Sequence, residues 1–151
     1  MKKLFLILCI GIGAYQLYGE WRERRANREN EAFVAAQPAN RPPSPSGFRD
    51  AMVPDGVSPY VVTLLMPVGC PLEAGRRGRA LIEKLKAANI PVTATAEAHV
   101  SVKAQSKEEL DNMIAMANKL MTGDTPIVFY KGRAKNNPSY DDVVAEYQAA
   151  K

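Results

Sequence analysis

Two cysteines and one histidine are the residues of this 151-residue chain best suited to nucleophilic or metal chemistry. Cys70 stands in Val68-Gly69-Cys70-Pro71, between an apolar run and the start of a helical pattern. A thiol at such a junction is a nucleophile if its thiolate is stabilised and a small apolar residue if it is not; the reactive reading is preferred. Arg76 and Arg77 follow within two helical turns and add positive potential, while Glu73 opposes them. Cys9 sits inside an apolar run and reads as a residue of that run. Two cysteines and one histidine cannot assemble four soft ligands, so a Cys/His zinc cluster and a multi-disulfide scaffold are excluded, and no metal is expected. Histidine-dependent catalysis would rest on His99 alone.

The elements that must position Cys70 are legible from periodicity. Residues 60–66 are apolar and β-branched and end at Pro67, which predicts a buried strand. From Glu73 to Ala88 the pattern is helical, with Leu81, Ile82, Leu85 and Ala88 on one face, Gly75 and Gly78 weakening the first turns, and Asn89 ending it. Residues 91–96 predict a second strand, which 99–102 extend or pair with. Ser106-Lys-Glu-Glu109 reads as a capping box for a helix running to Met121, with Leu110, Met113, Ile114, Ala117 and Leu120 inward and methionines as core filler. Residues 126–130 predict a third strand, Lys131-Gly132 a turn and residues 133–135 the return of a hairpin. Ser139 caps a last helix, opened by Asp141 and Asp142, with Tyr140, Val143, Val144 and Tyr147 inward. The order is β-α-β-α-β-β-α, an α/β unit with a mixed sheet and helices on both faces.

The first 57 residues have a different character. Lys2 and Lys3 precede an apolar run with no charge before Glu20. A cleaved signal peptide and a short membrane anchor compete for this segment. Tyr15, Tyr18 and Trp21 fall where an interfacial aromatic belt would lie, which favours an uncleaved anchor through residues 4–19. Residues 1–21 are therefore assigned as anchor or signal sequence. Arg22, Arg24, Arg25 and Arg28, interleaved with glutamates, predict a solvated helix. Six prolines between 35 and 59 predict a linker, so 22–57 reads as charged helix plus Pro-rich spacer and 58–151 as the folded domain. The expected location is a bacterial-type inner membrane with the domain side open, or a secreted, periplasmic protein if the N-terminus is cleaved. The net charge is +4, and residues 1–50 hold eight basic and five acidic side chains, so the folded part has no global basic field and nucleic acid is not an expected partner.

Strand, loop Gly69-Cys70-Pro71, helix, and later Thr125-Pro126 opening a hairpin before a last helix: this arrangement resembles the thioredoxin fold, and most closely its glutaredoxin-like branch, over about residues 60–149. The resemblance implies a three-layer β-α-β-α-β-β-α sandwich, here with an N-terminal hydrophobic helix. It implies that Cys70 caps the first helix, where unpaired N–H groups favour the thiolate, and that Pro71 occupies the first helical position. It implies a cis Thr125–Pro126 bond whose backbone docks a thiol peptide, and that Asp141 and Asp142 hold the amino end of glutathione. The second cysteine of the family falls at Glu73, so exchange requires an external thiol, with glutathione as co-substrate and protein thiols or mixed disulfides as partners. The implied activity is monothiol exchange or deglutathionylation by a membrane-tethered glutathione-dependent thiol-disulfide oxidoreductase. The alternative is a non-catalytic thioredoxin-fold binding module at the cell envelope.

Overall fold

Val62, Thr63, Leu64 and Leu65 are all buried, as are Ile127, Val128, Phe129 and Tyr130, and these two tetrapeptides pair antiparallel at the centre of a sheet. The computed structural model describes residues 18–29, 31–33, 41–67, 72–101, 104 and 106–150. Among them the strands are β1 (Arg49–Asp50), β2 (Val62–Leu65), β3 (Val92–Thr95), β4 (Ile127–Tyr130) and β5 (Arg133–Asn136). The sheet order is β1-β5-β4-β2-β3, with β2 and β3 parallel and every other pair antiparallel. Helices are α1 (residues 18–29, with 31–33 also helical), α2 (Glu73–Ala87), α3 (Lys107–Met121) and α4 (Tyr140–Ala149). From residue 62 onward the order is the predicted β-α-β-α-β-β-α of a mixed α/β unit.

Local chemistry explains where the elements stop. Asn89, left-handed at φ 56°, follows α2, and the Ile90 and Asn89 amides bond to the carbonyls of Leu85 and Lys86 at 3.0 and 2.9 Å. This Schellman closure brings Leu85 and Ile90 together in the core. Ser106 accepts from the Glu109 amide at 3.1 Å, and Ser139 and Asp142 form a reciprocal capping box at the start of α4. Lys131 and Gly132 are both left-handed, which suits the twist of a two-residue hairpin between β4 and β5. Gly78 is buried, and a Cβ there would lie 2.4 Å from the Met66 sulfur; the residue that weakens the helix is the one that lets it approach β2.

Alternation along the strands sorts the core into two faces. On one, Val62, Leu64, Met66, Val128 and Tyr130 meet Leu81 and Leu85 of α2 and Val143 of α4. On the other, Leu65, Ile127, Phe129 and Ala134 meet Ala51, Ala98 and Leu120. This second face is only half covered. The stripe expected to be inward on α3 is not buried: Leu110 and Ile114 are 37 % and 45 % exposed, and no residue of α3 is fully buried. Helix α3 packs against β5, while Thr63, Thr93 and Thr95 on this face of β2 and β3 line a hollow shared with α1, so the α3 stripe meets only part of the sheet. Met116 and Met121 are exposed too, so they are not core filler. Residues 97–101 join no strand; the His99 carbonyl instead accepts from the Asp55 amide at 2.7 Å.

The largest correction concerns the spacer. Residues 41–59 pack against the domain. Phe48 is 0 % exposed in the α2/α4 core, Pro54 and Pro59 are fully buried, and Arg49–Asp50 adds β1 to the edge of β5. Arg41 donates to Asp50 at 2.8 Å, Ser46 Oγ to Glu146 at 2.5 Å, and Lys135 to the Ser46 carbonyl at 2.7 Å. One phenylalanine among prolines and polar residues has no period to betray it, and buried prolines look the same in composition as spacer prolines.

Phe48→Ala should therefore cost about 3–5 kcal/mol of unfolding free energy in urea titration. A chain trimmed to begin at residue 58 should lose at least as much. Equal stability of trimmed and full chains would place Phe48 outside the core.

Candidate functional site

Gly69, Cys70 and Pro71 lie outside the described residues, as do Cys9 and residues 4–17 of the expected anchor. The residues that bracket Cys70 are described, and β-sheet register places them. Leu65 is paired with Ile127, so chain leaving β2 through Met66 and Pro67 runs beside chain entering β4 through Thr125 and Pro126. The Thr125–Pro126 peptide bond is cis. Pro126 is fully buried, and its carbonyl accepts from the Asn137 amide at 2.7 Å.

Helix α2 begins at Glu73, where its periodicity placed it, and later than the resemblance implied. Its N-cap is Leu72, not Cys70, and its first residue is Glu73, not Pro71. The physical reason is at Leu72, whose backbone is extended (φ −63°, ψ 163°) and whose carbonyl takes the first helical hydrogen bond, from Arg76 at 3.1 Å. The leucine side chain cannot accept a hydrogen bond, so the side-chain cap is missing at the end of α2 that residues 68–71 enter. A thiolate reaching that end meets the positive pole of the helix.

Arg77 ties this end of α2 to the Pro126 turn. Its guanidinium donates to the Thr125 carbonyl at 3.0 Å and pairs with Glu73 at 3.3 Å. The positive group expected only to add potential thus joins two segments 48 residues apart, and it pairs with Glu73. Arg76 and Asp141 are exposed. Asp142 is turned elsewhere: Lys135 lies 2.8 Å from its carboxylate, and the Ser139 amide donates to it at 2.9 Å. The structure brings together Glu73, Arg77, Thr125 and Pro126, and it sets Asp142 in the helix cap. The Lys135 hydrogen bond holds the Asp142 carboxyl below its ordinary value, with the Ser139 bonds adding to the effect.

Beside this turn is a cleft of about 330 Å³ lined by Arg77, Ala80, Leu81 and Lys84 of α2, by Pro126, and by residues 137–140 leading into α4. Lys84 and Tyr140 carried no functional signal in the sequence, because only the α2–α4 packing makes them neighbours. Elsewhere, Tyr130 ionises above its ordinary value, chiefly because burial disfavours the phenolate. His99 is exposed, 3.5 Å from Glu97. Among the described residues no group of His, Cys, Asp or Glu is arranged to hold a metal ion, and no helix is long and apolar enough to cross a membrane.

The Asp142–Lys135 pair yields a signed pH prediction. A depressed carboxyl pKa stabilises the fold above the ordinary value of 3.8, and that contribution is lost as the pH falls through the lower folded-state value. Lys135→Ala should shrink the acid-dependent part of the stability curve, read by urea unfolding at several pH values. An unchanged curve would mean that the pair contributes nothing. Ser139→Ala should cost about 1 kcal/mol at any pH where the cap forms.

Comparison with protein-family models, curated proteins and solved structures finds no match to this chain.

Proposed function

We propose that this chain is a thioredoxin-fold, glutaredoxin-like protein that exchanges thiols and disulfides through Cys70, tethered to a bacterial-type inner membrane through residues 4–19. One observation carries the reading. The Leu65–Ile127 register sets the Thr125-Pro126 turn beside the strand end that leads into Gly69-Cys70-Pro71. The element order β-α-β-α-β-β-α from residue 62 onward supports the reading.

In this reading the Cys70 thiolate attacks one sulfur of a mixed disulfide. A new disulfide forms between Cys70 and that sulfur, the old S–S bond breaks, and the other half leaves as a thiolate. A second thiol, glutathione by class, then attacks the sulfur joined to Cys70: a disulfide forms between those two sulfurs, the bond to Cys70 breaks, and the Cys70 thiolate leaves. The substrate's first half departs reduced, glutathione ends oxidised in the new disulfide, and Cys70 is unchanged. The uncapped start of α2 favours the attacking thiolate, and the Thr125 backbone with Pro126 docks the substrate chain.

Glu73 favours the second reading, a non-catalytic binding module of the same fold. It occupies the position of the missing second cysteine, and its carboxylate stands in the first turn of α2. Its pairing with Arg77 weakens that objection, because the charge facing the loop is then partly cancelled.

Exchange with a glutathionylated peptide should proceed with the full chain and stop in Cys70→Ser. The alkylation pKa of Cys70 should lie below the ~8.5 of a free thiol, each unit being worth ~1.4 kcal/mol. Arg77→Ala should raise that pKa by exposing the loop to Glu73 alone. Absent exchange, together with an alkylation pKa at or above about 8.5, would leave the binding module. The tether predicts release from membranes by detergent and not by salt.

A further inference from the structure

Helix α3 turns an apolar stripe to solvent. Leu110, Ile114 and Met121 are exposed and Ala117 is half-buried, while Leu120 packs against the sheet. At 3.6 residues per turn these four stripe positions, 110, 114, 117 and 121, fall within about 60° of one another. Their spacings are four, three and four residues, so the stripe reads the same from either end. The same symmetry extends to charge. Lys107 is exposed three residues before Leu110, and Asp124 is exposed three residues after Met121. The loop that carries Asp124 is fixed, because the Asn136 side chain donates to the carbonyls of Leu120 at 2.7 Å and of Asp124 at 3.3 Å.

We infer that this face of α3 is an interface between two copies of the chain, packed antiparallel about a two-fold axis midway between Ala115 and Met116. A two-fold contact sets a patch against itself, so it needs a pattern that survives reversal. Antiparallel pairing lays Leu110 over the partner's Met121 and Ile114 over the partner's Ala117, large side chain against small. It also sets Lys107 beside the partner's Asp124, once at each end of the stripe. A parallel pairing sets like charge on like charge at both ends. A lipid surface fits the face poorly: helices that lie on membranes carry lysine and arginine on the polar side, whereas α3 and its loop hold Glu108, Glu109, Asp111 and Asp124 against Lys107 and Lys119. One helix pair is a small interface, below the ~1,200 Å² of a standard one, so the dimer dissociates in the range of about micromolar or weaker. Nothing in this assignment depends on Cys70.

The test uses the full chain in detergent. Sedimentation equilibrium should show a reversible dimer at or below about 1 mM protein. Ile114→Glu should weaken it at least about tenfold, by placing a charge in the stripe. Met116→Glu, on an exposed residue about 130° around the helix from the stripe, should leave it unchanged. At low ionic strength Lys107→Glu and Asp124→Lys should each weaken it about threefold to tenfold, and the two together should restore it, which lost folding would not do. In a chain carrying Cys9→Ser and Cys70→Ser, Leu110→Cys with Met121→Cys should form an interchain disulfide far faster than either cysteine alone. The two positions lie ~16 Å apart along one helix, so they cannot join within a chain. A monomer throughout, with no interchain disulfide, would overturn the inference. So would a dimer that Ile114→Glu and the single charge reversals leave intact, since another face would then hold it. Two further outcomes also overturn it. A monomer in which Ile114→Cys resists alkylation has its stripe covered by its own chain. A monomer that binds phosphatidylglycerol vesicles only while Ile114 is present uses the stripe on lipid.

Discussion

The antiparallel pairing of β2 with β4 is the contact on which the rest of the molecule depends. Both strands are buried along their whole length, so neither face of the pair can be left to water. Burial of this kind demands cover on two sides, at roughly 25 cal/mol per Å² of apolar surface removed from water. One face receives α2 and α4, the other the weaker cover of α3 and its neighbours. The same register decides the site, because it sets the entry to β4 beside the exit from β2. A shift of one residue would turn every side chain of β4 to the opposite face, so core packing and site geometry cannot be changed separately.

The edge of the sheet is held by a different interaction. Arg133, on β5, lies 3.7 Å from carboxylate oxygens of both Asp50 and Glu146, and Glu146 is 5 % exposed. Arg41 and Ser46 complete the set by bonding to Asp50 and Glu146. The buried Arg133 Nε has no hydrogen-bond partner, so this network is not fully satisfied. Such a network adds little net stability against an apolar replacement, yet breaking one member leaves a buried charge exposed to its penalty. Its effect is to bind residues 41–50 to α4 in a single arrangement, with Phe48 as the apolar peg.

At the candidate site two opposing tendencies meet in one side chain. Glu73 brings a negative charge to the end of α2 where the helix itself favours an anion. Arg77 answers it and reaches the Thr125 carbonyl with the same guanidinium, 41 % exposed. A planar fork with several donors can do both, which a lysine ammonium at the same place does less well. The arrangement places a positive charge next to the Thr125-Pro126 turn.

The residues by themselves determined the elements from 62 to 149, their order and several of their ends. Ser106, Ser139 and Asn89 announce helix boundaries because capping acts within a few residues, and the runs of β2 and β4 announce buried strands because their apolar character is continuous. Cys70 stood out at the junction between a predicted strand and helix, and Thr125 and Pro126 through the resemblance. Tertiary structure alone decided the rest. Phe48 enters the core through long-range packing, with no periodic pattern around it. Leu110 and Ile114 stay exposed although they lie on the apolar stripe of α3, because helical spacing carries no information about the surface a helix will meet. Arg77 reaches Thr125, and Lys84 and Tyr140 come to line one cleft, only after the sheet has closed. Short-range rules set each element, and the register between distant strands determined which of their side chains became neighbours.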